Sequence, residues 1–226
     1  MKNKRAVVLL SGGLDSATTL FIAKQRGYEC YPLVFDYGQR HRRELRSASY
    51  IAKAARCRPK VLKISLPWRG SSLIGRKGRL PKSRSYREIK KGIPSSYVPA
   101  RNTIFLSFAL SFAESIGARK IFIGANAVDF SGYPDCRGPY LKAFEMVIKE
   151  GTKAGVEGRA ISIEAPLLLK TKGDIVKVAE SLRVPYSRTW SCYRGGKRPC
   201  GQCDSCVLRK KGFVEAGLAD PLVKDE

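Results

Sequence analysis

Acidic side chains are in short supply: 19 Asp and Glu stand against 43 Lys and Arg in 226 residues, giving a formal net charge of +24 and a pI near 10.0. Such a surplus repels itself and attracts polyanions, so nucleic acid is a legitimate partner class, but charge alone fixes neither fold nor activity. No apolar run approaches the ~18–20 residues of a helical membrane span. The one near the start, Ala6–Leu10, is too short for a signal-peptide core and runs into glycines. A cytoplasmic location is the expectation, with the seven cysteines held reduced and any cluster among them reading as metal-binding or catalytic before disulfide-bonded. Histidine occurs once, as His41, which taken alone reads as a surface or capping residue sooner than a catalyst. Also missing are internal repeats, low-complexity tracts and any stretch alternating aromatic with basic residues, so no base-stacking platform is written into the local sequence. What is present, 43% hydrophobic and 27% charged residues, is the mix of a folded soluble domain.

The positive charge gathers in two places. Arg69–Gly92 carries nine cations (Arg69, Arg76, Lys77, Arg79, Lys82, Arg84, Arg87, Lys90, Lys91) against the single acid Glu88, and a second group runs from Arg188 to Lys211. The plain expectation for them is a solvated loop and a solvated helix face. Elsewhere, strand and helix patterns alternate. Ala6–Leu10, Cys30–Phe35, Lys60–Ile64, Lys120–Ala125 and Ala160–Ala165 read as strands. Leu14–Gln25, Arg43–Ala55, Asn102–Ile116, Tyr140–Glu150 and Lys172–Leu182 read as helices, the last with Thr171 as its N-cap. Asn102 is likewise a good N-cap candidate, and Leu66–Ala100 reads as one long loop. The pattern predicts an α/β fold with a doubly wound parallel sheet. Ligands in such sheets sit beyond the carboxyl ends of the strands where the strand order reverses, so the loops after the strands are the ones to inspect.

After the first strand comes SGGLDS, Ser11–Ser16, leading directly into a helix. Gly12 and Gly13 let the backbone approach an anion, the first N–H groups of the helix point back at it, and the Ser11 and Ser16 hydroxyls add donors. The spacing and lysine of a Walker loop are absent. Asp15 complements the helix dipole, and a carboxylate beside a phosphate also suggests Mg²⁺. The complete string resembles the pyrophosphate loop of the ATP-pyrophosphatase superfamily. That resemblance implies cleavage of ATP between its α and β phosphates, adenylation of a substrate oxygen, and an adenine nucleotide alpha-hydrolase-like fold.

Near the other end, Cys192, Cys200, Cys203 and Cys206 give C-x₇-C-x₂-C-x₂-C. Two overlapping C-x₂-C knuckles and one upstream thiolate close a tetrahedral S₄ site, structural because it leaves no open position. The spacing fits either zinc or an iron–sulfur cluster. Cys30 and Cys57 read as ordinary buried or semi-buried thiols.

The other loops are FDYGQRH (Phe35–His41), YVPARN (Tyr97–Asn102) and GANAVDFSGYPDCR (Gly124–Arg137). They bring Gln39, Arg101, Asp129, Ser131, Tyr133, Asp135 and Arg137 to the rim that faces the phosphate loop, a set able to read the edges of a small polar heterocycle. SGGLDS, DYGQRH, YVPARN, DFSGYPDCR and WSCY…PCGQCDSCVLR, in this order and spacing from Arg5 to about Ala219, resemble the QueC family of 7-cyano-7-deazaguanine synthases. The Arg69–Gly92 stretch aligns with none of that family's motifs.

The resemblance implies an ATP-dependent carbon–nitrogen ligase. Its substrates are 7-carboxy-7-deazaguanine, ammonia and ATP with Mg²⁺, and its products are the nitrile precursor of queuosine and archaeosine, AMP and pyrophosphate. Leu10, Ser11, Gly12, Gly13, Leu14, Asp15, Ser16, Gln39 and Arg101 are then the expected ATP and pyrophosphate contacts, with Asp15 and Arg101 catalytic. Asp129, Ser131, Gly132, Tyr133, Asp135 and Arg137 are expected at the deazaguanine. One structural zinc is expected on Cys192, Cys200, Cys203 and Cys206. Residues 1–187 would form the catalytic core, and 188–226 a metal-binding segment packed on it. A homodimer is implied; a membrane is not, and nucleic acid is not required. Adenylate chemistry needs no thioester on Cys136. The alternatives are a tRNA-modifying ligase or thiolase with the same phosphate loop, a related enzyme acting on another acceptor, and a non-catalytic zinc-ribbon nucleic-acid binder, against which a phosphate loop on a strand-to-helix turn argues.

Overall fold

The computed structural model describes residues 4–39, 41–66, 71–73, 82, 84–89, 92–127 and 132–223. Five parallel strands, β1 (Arg5–Leu9), β2 (Glu29–Asp36), β3 (Lys60–Lys63), β4 (Lys120–Phe122) and β5 (Ser162–Glu164), form one sheet in the order β3-β2-β1-β4-β5. Side chains along a strand alternate between faces, and here both faces are covered. Ala6 and Val8 of β1 join Val34 and Phe122 in a core with α1 (Leu14–Gln25), α2 (Arg43–Ala54), α7 (Lys172–Ser181) and α8 (Asp204–Ala216). Val7 and Leu9 join Leu33 and Ile121 in a second core with α4 (Arg101–Ser115) and α5 (Gly138–Gly151). The edge strand β3 keeps both of its lysines exposed, a charge that discourages pairing with another chain.

The expected doubly wound sheet is therefore present, and α1 spans the predicted residues. The chain steps from β1 through β2 to β3 on one side, then crosses back through α4 to lay β4 against the other side of β1. The carboxyl ends of β1 and β4 thus flank the point where strand order reverses, the place such sheets reserve for ligands. Thr171 caps α7 as expected, in a full capping box with Asp174: each side chain binds the other residue's backbone N–H.

Several elements depart from the sequence reading. The stretch from Leu66 to Ala100 is not wholly loop, because Tyr86–Ile89 forms a single turn, α3. Another short helix, α6 (Lys153–Val156), follows α5. Helix α8, hidden in sequence among cysteines and basic residues, places Phe213 in the first core, so the C-terminal segment shares the sheet's interior. Nor is Asn102 the N-cap of α4. Ala100 holds that position in a left-handed conformation, φ 51°, and the orphan Asn102 N–H is satisfied by the Asp135 carboxylate at 3.0 Å. No described helix is long and apolar enough to cross a membrane.

Candidate active site

Apolar residues of the central strands dictate a floor, and the turns that follow them supply the walls. Leu9, Leu33, Phe35 and Ile123 leave the sheet beneath a cavity of about 270 Å³ at the carboxyl end of β1. Phe105 of α4 adds to this apolar lining by stacking face to face on Phe35, with centroids 3.9 Å apart and planes 1° from parallel.

The Ser11–Ser16 turn forms one rim. Its shape is locked from within: Ser11 and Ser16 share a hydroxyl–hydroxyl hydrogen bond of 3.0 Å, Ser16 Oγ donates to Gly13 O, and Gly13 N–H donates to Ser11 Oγ. It is also locked from outside. At Gly12 (φ +85°) a Cβ would lie 2.6 Å from the Ala48 backbone nitrogen, so the turn seats directly on α2. At Gly124 a Cβ would lie 3.1 Å from the Ser16 nitrogen, so β4's loop presses on the same turn. Trp190 N–H donates to Gly12 O at 2.9 Å, adding a third contact from the cysteine-rich segment. Held this way, the first N–H groups of α1 have a fixed geometry suited to an anion.

Asp15 stands in the first turn of α1. Lys172 Nζ and Asn126 Nδ2 both donate to its Oδ2, at 2.6 and 3.1 Å. Its Oδ1 is buried and accepts no hydrogen bond from the described residues. A carboxylate oxygen desolvated on a cavity wall beside an anion cradle suits a hard divalent cation.

Across the cavity, Arg101 Nη1 donates to the Tyr37 hydroxyl at 3.0 Å, and its guanidinium lies 5.9 Å from the Phe105 ring centroid. Burial works against its charge, but Tyr37, Tyr133 and Glu44 outweigh burial and lift its pKa above the ordinary arginine value. Glu44 also lines the cavity. Burial raises its carboxyl from 4.5 to about 7; Arg101 pulls it down and Cys192 pushes it further up. Gln39 lines the wall with its amide turned to the backbone, accepting from Tyr37 N–H and donating to Phe35 O.

The sequence-predicted residues thus divide. Leu10, Ser11, Asp15, Ser16, Gln39, Arg101 and Tyr133 line the cavity. Gly12 and Gly13 shape the turn, while the Leu14 side chain is buried in the first core. Asp135 is buried with its Oδ2 capping α4, Gly132 is buried against Pro94, and Arg137 is exposed; none of these three lines the cavity. Asp129 and Ser131 lie outside the described residues. His41, expected on general grounds at the surface, lines the cavity instead and fills the space a side chain would need at Gly195. Sequence reasoning missed Glu44, Lys172, Asn126 and Trp190. Lys172 could have been noticed at the head of a helix following the last strand; Glu44 gave no local signal.

The four cysteines converge. The Sγ atoms of Cys192, Cys200, Cys203 and Cys206 lie within 4.8 Å of one another, and Cys203 and Cys206 are 3.5 Å apart. Sulfurs ~2.3 Å from a shared tetrahedral centre would stand about 3.8 Å apart, so the set fits a metal of that size. Backbone N–H groups of Cys200 and Cys203 each donate to the sulfur of the preceding cysteine of the set, at 3.4 Å. The long basic stretch reaches this segment too. Arg84 forms an ion pair with the buried Asp204 at the start of α8, and Lys211 of α8 sits 4.5 Å over the Tyr86 ring. That part of the stretch is docked, not solvated.

Residues 5–217 match the family described as "Queuosine biosynthesis protein QueC". The chain is 52% identical over 221 residues to the 7-cyano-7-deazaguanine synthase of Trichodesmium erythraeum (strain IMS101), covering 97% of this chain and 100% of that protein. It is 51% identical over 222 residues to the synthase of the same name from Thermoplasma acidophilum, covering 98% and 92%. Among solved structures, NMN synthetase from Francisella tularensis superposes with a TM-score of 0.51 at 11% identity, over 96% of this chain and 88% of that one, and so shares the fold.

Proposed function

The chain belongs to the QueC family, and from that premise we propose that it is an ATP-dependent carbon–nitrogen ligase that turns 7-carboxy-7-deazaguanine and ammonia into 7-cyano-7-deazaguanine. The observation that carries this reading is 52% identity to a synthase of that name along almost the whole chain. The cavity chemistry supports it. A carboxylate resists ammonia because its carbonyl is electron-rich and hydroxide leaves badly. Attack of a substrate carboxylate oxygen on the α-phosphorus of ATP expels pyrophosphate toward the Ser11–Ser16 cradle and leaves AMP as the new leaving group. Ammonia then displaces AMP to give the amide. A second adenylation, on the amide oxygen, lets AMP depart as the nitrogen loses its protons and the nitrile forms.

No covalent protein nucleophile is needed; the protein aligns the reactants and stabilises charge. The Phe35–Phe105 platform and the apolar floor suit a flat heterocycle. Ser11, Gly12, Gly13 and Ser16 would hold the departing pyrophosphate, and Arg101 would offset the charge on the α-phosphate. The free Asp15 Oδ1 would hold Mg²⁺, which when bound supplies charge neutralisation for the phosphates. Glu44 is suited to take a proton from the attacking nitrogen near neutral pH. Tyr133 faces the same cavity and remains a contact for the deazapurine. Asp129 and Ser131 are proposed beside it on sequence grounds alone. Cys192, Cys200, Cys203 and Cys206 would hold one zinc, which with four thiolates has no open position and serves structure.

The test is incubation with 7-carboxy-7-deazaguanine, ammonium and Mg-ATP, followed by mass spectrometry. The nitrile and AMP are expected; accumulation of ADP in place of AMP would overturn the reading.

Glu44 also ties stability to pH. Its folded pKa of about 7 lies above the unfolded 4.5. Between these values the folded chain keeps a proton that the unfolded chain releases, so the group's contribution is fully present below 4.5 and is lost as pH rises through 7. Glu44→Gln, which cannot ionise, is expected to gain stability relative to the parent between pH 5 and pH 8. Urea midpoints measured for both proteins at the two pH values check this, and an unchanged difference would contradict it.

A further inference from the structure

A second concavity, of about 550 Å³, shares no lining residue with the catalytic cavity. It lies between α2 and the segments around Arg188 and Lys197. Five cations line it: Arg43 and Arg46 from α2, Arg188, Lys197 and Arg198. Among the described residues, no carboxylate lines it. Elsewhere the chain neutralises many of its cations, as in Arg5–Glu29, Arg26–Glu164, Lys120–Glu164 and Arg209–Asp220. Among the described residues, none of the five in the cleft forms an ion pair with a carboxylate. With only 19 acids for 43 bases, the acids are spent elsewhere and this concavity stays positive.

The cleft also has aromatic walls. Arg43 lies 4.2 Å over the Trp190 ring and donates to Lys197 O at 2.7 Å, which fixes the loop of Lys197 and Arg198 against α2. Arg188 lies 5.0 Å from the centroid of Tyr50, a ring 46% exposed. The aromatic–basic interleaving missing from the local sequence is thus assembled from residues more than a hundred positions apart.

We propose that this cleft binds single-stranded nucleic acid, with the cations tracking its phosphodiester backbone and the Tyr50 ring stacking on an unpaired base. Five like charges in one concavity repel each other unless an anion sits among them, and a polyanion with regularly spaced charges meets several at once, releasing its counterions. A ring flanked by a guanidinium offers a face to any base without reading its sequence. A single strand enters a concavity of this size, whereas a duplex keeps its bases stacked away from Tyr50.

The test is fluorescence anisotropy of a labelled oligoribonucleotide of about fifteen residues, titrated with the full-length, metal-replete chain between about 50 and 200 mM salt. Binding should weaken steeply with salt. Arg46→Glu/Arg188→Glu/Arg198→Glu should weaken it about 30-fold or more and lower the log–log salt slope by about 2, at ~0.7 for each phosphate no longer neutralised. Tyr50→Ala should lower affinity about five-fold or more with the slope unchanged. AMP formation by both variants should match the parent, which separates this site from the catalytic one. The proposal is overturned if nothing binds at low salt, if the triple variant binds as the parent does, or if a duplex of equal length binds as well as the single strand.

Discussion

Replacing Cys203 by alanine should release the metal proposed for the four cysteines and lower the melting temperature by about 10 °C, with a rise in the KM for ATP. Cys203 is buried at the start of α8, and three thiolates hold a tetrahedral ion far less tightly than four. Because metal binding of this kind is folding energy, its loss subtracts directly from stability; for a chain of this size each kcal/mol is worth about 2–4 °C. The effect should reach the nucleotide because Trp190 belongs to the same knot. Its N–H holds Gly12 O at 2.9 Å, and its indole N–H binds Cys192 O, so loosening the cysteines loosens one of the supports of the phosphate turn. Calorimetry and metal analysis on the purified variant decide the matter. Cys57→Ala, at a half-buried thiol outside the cluster, is the control and should keep one metal per chain. An unchanged melting temperature in the Cys203 variant would rule out a structural metal there.

Asp15→Asn should lower turnover by about a hundredfold or more while the protein remains folded. The substitution preserves shape and removes charge. Lys172 Nζ, now 2.6 Å from a carboxylate, would face a neutral amide, and the free oxygen proposed for Mg²⁺ would lose its anionic character. In the proposed mechanism both adenylations use the same turn, so amide and nitrile formation should decline together in a single time course followed by mass spectrometry. The Mg²⁺ concentration needed for half-maximal rate should also rise. A variant with near-parental turnover would remove Asp15 from the mechanism.

What sequence alone revealed was whatever depends on neighbours close along the chain. The apolar run of β1, the two glycines and the 3.6-residue period of α1 are local, and they located the strand, the Ser11–Ser16 turn and the helix behind it. The Cys-x₂-Cys spacing is equally local. Alternating strands and helices gave the sheet class, and the reversal beside β1 fell where a doubly wound sheet requires a ligand site. Long-range partners were not legible. Asp135 looked like a group reading a heterocycle, yet the structure spends one of its oxygens on the backbone N–H of Asn102, a left-handed Ala100 having left that helix start without a side-chain cap. Glu44 occupies an ordinary helical position in sequence, and only the approach of Arg101 and the cysteine segment makes it a cavity residue with a displaced pKa. Helix α8 was obscured because its first turn holds a cysteine of the cluster, although Asp204 at its start and Gly217 at its end mark its limits.

Arg209 decides where this polypeptide tolerates being shortened. Its guanidinium, only 6% exposed as a residue, is gripped by both Asp220 oxygens at 2.7 and 2.9 Å and by Thr189 and Tyr186 on the turn before the cysteines. Ending the chain at Leu218, two residues before Asp220, would strand a cation in the interior, a loss of about 3–5 kcal/mol. Asp220, which opens the final described turn, is the counter-ion that keeps α8 and the cysteine cluster in place.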